Sequence, residues 1–272
     1  MSHQSLLEVK SLTRRFGGII ANNNVSFEVQ KDSITSLIGP NGAGKTTVFN
    51  CITGFYSATS GEIFLHGPDA SVEVGKLLNR PFTGGSYLVS RAGIARTFQN
   101  IRLFKEMTVL ENLLVAQHRM QNRNLLAGIL LTHAFSRKEE ESVNRAYEWL
   151  DMVDLAVDAN RLAGELSYGR QRRLEIARAM CTNPSLVCLD EPAAGLNPRE
   201  TVDLSRLIRK LRDECGVTVL LIEHDMGLVM EISEHIVVMD QGSVIDRGDP
   251  EHIRNSDVVI AAYLGTEVED EA

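Results

Sequence analysis

The sequence predicts an α/β fold that combines parallel and antiparallel strands, and three features of the chain favour this class. Apolar runs at residues 186–189 and 217–222, each preceded by a helical pattern, are typical of buried parallel strands. Residues 6–35 alternate apolar and polar side chains, as antiparallel strands with one buried face do. Residues 107–165 have helical apolar spacing and little strand character, which predicts a helical insert. A late hairpin is predicted at residues 236–245.

Length, charge and cysteine usage narrow the possible functions. The 272 residues suffice for one large α/β domain or for two small ones. A formal net charge of −8 argues against nucleic acid or an anionic lipid surface as the main partner. The chain has no run of about 18 uncharged apolar residues that could span a bilayer. Four cysteines without metal-type spacing are predicted to be reduced thiols: Cys51, Cys181, Cys188 and Cys215.

A glycine-rich segment at residues 39–47 predicts a phosphate-binding site. It fits the pattern G-x-x-x-x-G-K-[ST], follows a short apolar strand at residues 34–38 and begins a predicted helix at residues 45–53. Its backbone N–H groups and the helix N-terminus would face phosphate oxygens, Lys45 would neutralise the β- and γ-phosphates, and Thr46 would bind Mg²⁺. A chance match is the alternative, which the strand–turn–helix context disfavours. The predicted phosphate-binding residues are Gly39, Pro40, Asn41, Gly42, Ala43, Gly44, Lys45, Thr46 and Thr47.

Two consecutive carboxylates follow the apolar strand at residues 186–189. Asp190 and Glu191 would lie at the carboxyl edge of the sheet, where α/β proteins bind ligands. Asp190 would hold Mg²⁺, directly or through water, and Glu191 would polarise an attacking water in phosphoryl transfer. The alternative is a solvated acidic turn, and the glycine-rich segment favours the catalytic interpretation. The residues therefore predict a protein that binds and hydrolyses ATP.

His224 and Gln99 are weaker candidates for the same site. His224 also follows an apolar strand, where it would sense the γ-phosphate or serve only as a structural hydrogen-bonding group. Gln99 lies in a polar turn before the helical insert and is a candidate metal ligand and hinge. A single glutamine carries little information by itself. Gln99 is a candidate because it lies between the glycine-rich segment and the helical insert.

Ser167, Gly169 and Phe16 raise questions that the residues alone leave open. Ser167 and Gly169 precede a predicted helix and could form an N-cap and a second anion site, which a single active site would not need. A second site of this kind indicates an active site shared between two copies. Phe16 is a core aromatic or an exposed ring that stacks on adenine, and in isolation the core is favoured.

With these motifs in this order, the chain resembles the ATP-binding subunits of ABC transporters over nearly its full length. The resemblance implies a P-loop (RecA-like) ATPase core with an antiparallel β subdomain and an inserted α-helical subdomain. It assigns one ABC ATPase domain to residues 1–265, with the core and β subdomain at 1–100 and 166–265, the helical subdomain at about 101–165, and an acidic tail at 266–272.

The resemblance also implies roles for the motif residues. Segment 39–47 corresponds to Walker A, Gln99 to the Q-loop, 167–171 to the signature loop, Asp190 and Glu191 to Walker B, 194–197 to the D-loop and His224 to the switch histidine. It implies a head-to-tail dimer that holds ATP between Walker A of one subunit and Ser167 and Gly169 of the other. Phe16 becomes the expected adenine partner. The implied catalytic residues are Lys45, Glu191 and His224, and the implied Mg²⁺ ligands are Thr46, Gln99 and Asp190.

Several segments narrow the resemblance to the larger ATPase subunit of branched-chain amino acid importers. Tyr168 replaces the first glycine of the common signature Leu-Ser-Gly-Gly-Gln, and the run at residues 172–180 and the ending at 262–265 match that group. The implied partners are a second, different ATPase chain, two membrane permease subunits and, indirectly, a solute-binding protein, with no nucleic acid. The implied location is the cytoplasmic side of the inner membrane, as a peripheral subunit. Residues 68–91 are irregular in pattern and longer than this group usually has, so no role is assigned to them.

Two alternative functions are also compatible with the sequence. An ATPase of this type could drive export of lipid or lipopolysaccharide, usually as a homodimer. It could also be a soluble ABC ATPase that acts outside transport, although such proteins often have two cassettes or a long coiled coil. This chain has one set of motifs and no long heptad run.

Overall fold

Two β-sheets organise the chain in a computed structural model that describes residues 4–67, 70–81, 83–117 and 133–264. The strands are β1 (Ser5–Phe16), β2 (Ile19–Gln30), β3 (Ile34–Ile38), β4 (Ser60–His66), β5 (Ser71–Glu73), β6 (Ile94–Arg96), β7 (Leu186–Asp190), β8 (Thr218–Ile222), β9 (His235–Asp240) and β10 (Ser243–Gly248). The helices are α1 (Lys45–Ile52), α2 (Val74–Leu78), α3 (Ser86–Ala92), α4 (Val109–Ala116), α5 (His133–Met152), α6 (Tyr168–Met180), α7 (Pro198–Asp213), α8 (Met226–Ile232), α9 (Pro250–Arg254) and α10 (Asp257–Leu264).

The larger sheet has the strand order β10-β9-β3-β8-β7-β6. Strands β6, β7, β8, β3 and β9 pair in parallel, and β10 pairs antiparallel with β9. Every residue of β3, β7 and β8 is buried, as continuous apolar runs in a parallel sheet covered on both faces require. The predicted parallel strands and the late hairpin are therefore confirmed, and the carboxyl ends of the parallel strands meet at one edge.

The smaller sheet is antiparallel, with the order β2-β1-β4-β5, which confirms the antiparallel strands predicted over residues 6–35. Its apolar side chains pack against one face of the parallel sheet. Leu7, Val25 and Phe27 share a buried cluster with Cys188 and Leu220. Alternation along β1 and β2 therefore places one face of this sheet in the core.

Helices cover the opposite face of the parallel sheet. Leu113 of α4, Leu150 of α5 and Leu174 of α6 share a buried cluster with Val187 and Val219. Helix α4 begins with a capping box in which Thr108 and Glu111 satisfy each other's backbone N–H groups. Helices α4 and α5 confirm the helical spacing predicted within residues 107–165, of which residues 118–132 lie outside the described part. The division into a core and a helical subdomain stays a prediction, and the tail at 266–272 lies outside the described residues.

The prediction that residues 68–91 are irregular is wrong in part. This segment contains β5, α2 and part of α3. Val74, Leu77 and Val89 are buried against the antiparallel sheet and α1, in the cluster that contains Leu65 and Phe49. The helices are short, and glycine, proline and serine lie at or between their ends, so the composition suggested a loop. Tertiary burial of three apolar side chains stabilises elements that would be marginal alone.

Within the described residues, no helix is both long enough and apolar enough to cross a bilayer. The four cysteines are free, as predicted, and Cys51, Cys181 and Cys188 are buried. Burial raises the pKa of the Cys51 thiol to about 11 and the pKa values of the Cys181 and Cys188 thiols to about 12. These three side chains behave as small apolar groups of the core.

Thiol labelling tests this burial. Because the thiolate is the reactive form, a thiol reagent at about pH 8 should modify partly exposed Cys215 in the native protein and leave the other three intact. All four should react once denaturant is added. The labelled positions are identified by mass spectrometry of peptides. Rapid native modification of Cys188 would contradict the buried position of β7.

Candidate active site

The glycine-rich segment connects β3 to α1 and can be formed only with glycine at key positions. Gly44 has φ of 92°, and a Cβ there would lie 2.5 Å from Asn22 Nδ2 and 2.6 Å from the Ala21 carbonyl oxygen. Gly39 has φ of 145°, and a Cβ there would overlap the Met239 carbonyl. Asn22 is fully buried and donates from Nδ2 to the Gly44 carbonyl at 3.1 Å. The neighbouring strands therefore hold the loop in this conformation.

Lys45 begins α1 and folds back over the loop. The residue is only 6% exposed, and Nζ donates to the carbonyls of Gly39 at 2.7 Å and Pro40 at 2.9 Å. Burial lowers the pKa of this ammonium, while the nearby charge of Glu191 raises it. An ammonium paired mainly with neutral carbonyls lacks a full counter-charge, and a phosphate would supply one. The loop and Lys45 therefore fit an anionic phosphate ligand.

The structure brings Glu191, Gln99 and His224 together, although they are far apart in the sequence. Glu191 Oε2 accepts a hydrogen bond from Gln99 Nε2 at 2.6 Å, and Oε1 lies 2.7 Å from His224 Nε2. Glu191 has φ of 47°, a left-handed conformation that costs a non-glycine residue about 1–3 kcal/mol. Its N–H donates to the Ile222 carbonyl at 2.9 Å, which holds the strained residue against β8. The carboxylate is thereby fixed between an amide and an imidazole at the edge of the sheet.

Asp190 is buried and paired with Arg96, an arginine outside the motifs of the sequence. Its Oδ2 lies 2.7 Å from Arg96 Nη2, and Arg96 Nη1 donates to Asn50 Oδ1 at 2.6 Å and to Thr53 Oγ1 at 3.0 Å. Arg96 ends β6, the strand that pairs with β7, and this adjacency was not visible in the sequence. Asp190 Oδ2 thus pairs with Arg96, and the other carboxylate oxygen is a candidate metal ligand.

The oxygen donors of this edge suit a hard cation. Asp190 supplies a carboxylate, Thr46 a hydroxyl and Gln99 an amide carbonyl, all of which are ligand types that Mg²⁺ prefers alongside phosphate oxygens and water. The described residues contain no cluster of three or more histidine, cysteine and acidic side chains that would bind a metal without further ligands. The oxygen atoms of Asp190, Thr46 and Gln99 fit a metal that also binds phosphate oxygens.

Phe16 and the signature residues lie outside this cluster. Phe16 ends β1 and is 39% exposed, with Arg14 at 4.5 Å from its ring centre and Tyr56 edge-on at 5.2 Å. The interpretation of Phe16 as a core aromatic is therefore wrong, and its role toward adenine stays a prediction. Ser167 occupies the N-cap position of α6, but its side chain makes no capping hydrogen bond. The expected serine cap is thus absent, and within the described contacts neither Ser167 nor Gly169 touches Glu191.

Glu223 is a further residue that the sequence argument did not assign. It is 3% exposed, and its carboxylate accepts hydrogen bonds from the N–H groups of Ala193 at 2.6 Å, His224 at 3.0 Å and Asp225 at 3.4 Å. Burial is the main cause that raises the pKa of this carboxyl. Glu223 follows β8 directly, as Asp190 ends β7, so its position after an apolar strand was a usable signal. It joins the loop after Glu191 to the loop that contains His224.

A family model described as ABC transporter matches residues 22–194, which is more than half of the chain. The chain therefore belongs to the ABC transporter family as an ATP-binding subunit, an ATPase coupled to transport. The predicted fold class and the predicted resemblance are both confirmed. The residue roles are not addressed by this match and stay predictions.

The relatives extend over nearly the whole chain. The high-affinity branched-chain amino acid transport ATP-binding protein BraF of Pseudomonas aeruginosa is 57% identical over 260 residues, which cover 96% of this chain and 98% of that protein. LivG of Escherichia coli K12, with the same description, is 52% identical over 262 residues, with 96% and 98% covered. The ADP conformation of the ATP-binding cassette MJ1267 has a TM-score of 0.79 at 33% identity, with 96% and 99% covered. A dimeric structure of the cassette MJ0796 has a TM-score of 0.72 at 27% identity, with 90% and 98% covered.

Replacing Glu223 tests whether it anchors the His224 loop. In Glu223→Ala, the N–H groups of Ala193 and His224 lose a buried acceptor, so the free energy of unfolding should fall by about 1–3 kcal/mol. Chemical denaturation measures this change. Glu214→Ala, at an exposed acidic residue after α7, is the control and should change stability by less than about 0.5 kcal/mol. Equal stability of the two variants would contradict the anchoring role.

Proposed function

We propose that this chain binds ATP with Mg²⁺ and hydrolyses it at the edge of the parallel sheet. The observation that carries the proposal is the Glu191 carboxylate, held by Gln99 and His224 beside a buried Lys45 that lacks a full counter-charge. Phosphoryl transfer needs a positioned nucleophile and neutralisation of phosphate charge, with little covalent chemistry from the protein. In this cluster, Glu191 would position the attacking water and Lys45 would neutralise phosphate charge.

Each residue has a distinct task in the proposed reaction. Lys45 and the N-terminus of α1 neutralise the β- and γ-phosphates. Glu191 accepts a hydrogen bond from the attacking water and orients it, while Gln99 and His224 hold the carboxylate and face the γ-phosphate. Thr46, Asp190 and Gln99 would hold Mg²⁺, which supplies further charge neutralisation when bound. Phe16, exposed beside Arg14, would stack on the adenine ring.

A second ATPase subunit completes the proposed site. Ser167 and Gly169 begin α6, and the Ser167 hydroxyl makes no capping bond within its own helix. In a head-to-tail dimer these residues would reach the γ-phosphate held by the partner's glycine-rich segment. The dimeric structure of the cassette MJ0796 supports the association of two such subunits. The partner proposed for this chain is a second, different ATPase subunit.

Replacement of Glu191 and Lys45 tests the site. Glu191→Gln should lower kcat about a hundredfold or more, because a neutral amide cannot take up the water's proton, and should retain ATP in a dimer. Lys45→Ala should abolish ATP binding through loss of the phosphate counter-charge. Steady-state phosphate release and binding of a fluorescent ATP analogue are the measurements.

An exposed carboxylate gives the matched control for this experiment. Glu214→Gln makes the same chemical change at an exposed position and should hydrolyse ATP as the unchanged protein does. Near-normal turnover in Glu191→Gln would remove Glu191 as the base. Unchanged nucleotide affinity in Lys45→Ala would remove the phosphate role of that lysine.

The proposed transport process is import of leucine, isoleucine, valine or related hydrophobic amino acids. Support comes from relatives at 57% and 52% identity that are described as branched-chain amino acid transport ATP-binding proteins. The proposed complex contains two membrane permease subunits, receives solute from a binding protein and holds this chain at the cytoplasmic face of the inner membrane. Selection of the solute rests with those other subunits, since no residue of the ATP site would contact it.

A groove beside the Gln99 loop is the proposed contact with the permease. Its volume is about 410 Å³, and Phe55, Phe98, Phe104 and helix residues Tyr87 and Val115 contribute to its lining. Three of its aromatic rings are half exposed, at 49% for Phe55 and Tyr87 and 50% for Phe104. Such rings are frequent anchors for a partner. Phe104 follows Gln99 closely in the sequence, while the other lining residues named here come from neighbouring segments.

Co-purification with the membrane subunits tests the groove. Phe104→Ser should weaken that association about tenfold or more, because an aromatic anchor commonly contributes about 2 kcal/mol or more. ATP hydrolysis by the isolated ATPase subunits should be retained. Val157→Ser, at a residue that is 88% exposed and outside the groove lining, is the control and should purify with its partners normally.

The partners recovered with the control also test the transport process. Two distinct membrane subunits and a second ATPase, together with loss of labelled leucine uptake in cells that lack this chain, would support the importer. A homodimer bound to other membrane proteins would indicate export or a different importer. Equal recovery with Phe104→Ser and Val157→Ser would exclude the groove as the docking site.

A further inference from the structure

Arg172 is a fully buried arginine in the first turns of α6, the helix that begins with the signature residues. Its guanidinium donates to two consecutive backbone carbonyls of the Gln99 loop, from Nη1 to Phe98 at 2.7 Å and from Nη2 to Gln99 at 2.8 Å. Nη2 also donates to the Tyr168 hydroxyl at 3.1 Å. The planar fork of an arginine suits this geometry, since two parallel donors can engage two adjacent carbonyls.

Glu175 completes this connection one turn further along α6. Its Oε2 lies 2.9 Å from Arg172 Nη1, and the residue is 3% exposed. Its Oε1 accepts hydrogen bonds from the backbone N–H groups of Arg102 at 3.2 Å and Phe98 at 3.4 Å. The two charged side chains therefore satisfy carbonyl and N–H groups of the same loop. Burial is the main cause that raises the pKa of the Glu175 carboxyl.

Tyr168 connects the same arginine to the surface of the signature loop. Its ring lies 5.7 Å from the Arg172 guanidinium and packs beside Gly195 of the D-loop, where a Cβ would lie 3.2 Å from Tyr168 Cε1. The side chain is 44% exposed, next to Ser167 in the sequence. One continuous set of contacts thus runs from the signature residues through Arg172 to the backbone of Gln99.

This path ends in the chain's own active site, where Gln99 Nε2 donates to Glu191 Oε2 at 2.6 Å. In the proposed dimer, Ser167 and Gly169 serve the partner's nucleotide, while Gln99 and Glu191 serve the chain's own. The two ends of the path therefore belong to two different nucleotide sites. A buried ion pair is a poor source of stability, because removing both charges from water often costs more than their attraction returns.

We infer that Arg172 and Glu175 are positioning residues that move the Gln99 loop together with the signature loop, so that closure on the partner's ATP sets the position of Gln99 in the chain's own site. This inference rests on the proposed head-to-tail dimer. The pair acts through Gln99 and touches neither nucleotide. Its contribution is therefore to the rate of hydrolysis once ATP is bound.

A double-mutant cycle on the full-length chain, assembled with its second ATPase subunit, tests this link. Arg172→Met should lower kcat about tenfold and leave KM for ATP within about twofold, because the glycine-rich segment is untouched. Gln99→Ala alone should also lower kcat, and adding Arg172→Met to it should cost no more than about twofold further, since Arg172 acts through Gln99. ATP hydrolysis and thermal unfolding are measured for each protein.

Glu175→Gln gives a second route that conserves volume, in case Arg172→Met does not fold. A glutamine can keep its oxygen on the two loop N–H groups, but its amide then faces the Arg172 guanidinium as a second donor. It should lower kcat about tenfold with KM unchanged, and its effect should also disappear when Gln99→Ala is present. Arg173→Met is the control, at a neighbouring arginine that pairs with Asp154 and Asp203, and should retain kcat within about twofold.

Additive effects of Arg172→Met and Gln99→Ala, or of Glu175→Gln and Gln99→Ala, would overturn the inference. A fall in thermal stability with unchanged kcat in Arg172→Met or Glu175→Gln would also overturn the inference, because Arg172 and Glu175 would then have a purely structural role. Lys45→Ala in the same assay distinguishes a failure of the positioning role from a failure of the proposed ATPase function. If Lys45→Ala is inactive and the cycles are additive, only the positioning role is lost. If Lys45→Ala hydrolyses ATP normally, the active-site assignment itself is wrong.

Discussion

Parallel pairing of β3, β8 and β7 is the constraint on which the active site depends. Leu37 pairs with Ile222, and Ile222 pairs with Asp190, so the segments that follow all three strands leave the sheet at the same edge. The glycine-rich segment, Glu191 and His224 meet there for that reason, although long stretches of chain separate them. Full burial of the three strands fixes their register, because a shift would expose apolar side chains or bury unpaired backbone groups. The chemistry of the site is therefore a consequence of how the core packs.

Buried charged side chains hold the loops that leave this edge. Arg96 holds Asp190, Glu223 accepts from the backbone of the His224 loop, and the Arg172–Glu175 pair engages the Gln99 loop. Loop backbone groups near the core lack ladder partners and need hydrogen bonds from elsewhere. A charged group makes stronger hydrogen bonds than a neutral one, and it loses more when a loop moves away. Such contacts suit loops that must hold one of a few defined positions.

The outline of the fold could be predicted from the sequence, and so could the meeting of several strand-end residues at one edge of the parallel sheet, because strand burial, glycine spacing and strand-end carboxylates are local patterns. The partners of Arg172 could not, since a charged residue within a helix usually faces water, and the Gln99 loop that buries it comes from a distant segment. Helices α2 and α3 were missed for a related reason. Their sequences favour helix only weakly, and the burial of Val74 and Val89 stabilises them. Local patterns thus predict where chemistry can occur, while the positioning contacts depend on tertiary neighbours.

In the proposed reaction, one chain supplies only part of what phosphoryl transfer needs. Lys45 and the start of α1 offer positive charge on one side of the phosphates, Phe16 offers one face of a ring, and the Ser167 hydroxyl points to no acceptor or donor in its own helix cap. A γ-phosphate bound by one chain would remain open to water on its other side, where charge stabilisation is weakest. Supplying that side from a second subunit makes hydrolysis conditional on closure. In the proposed mechanism, coupling to transport then follows, because only the closed dimer would have a complete site and closure would move α6 and the Gln99 loop beside the groove.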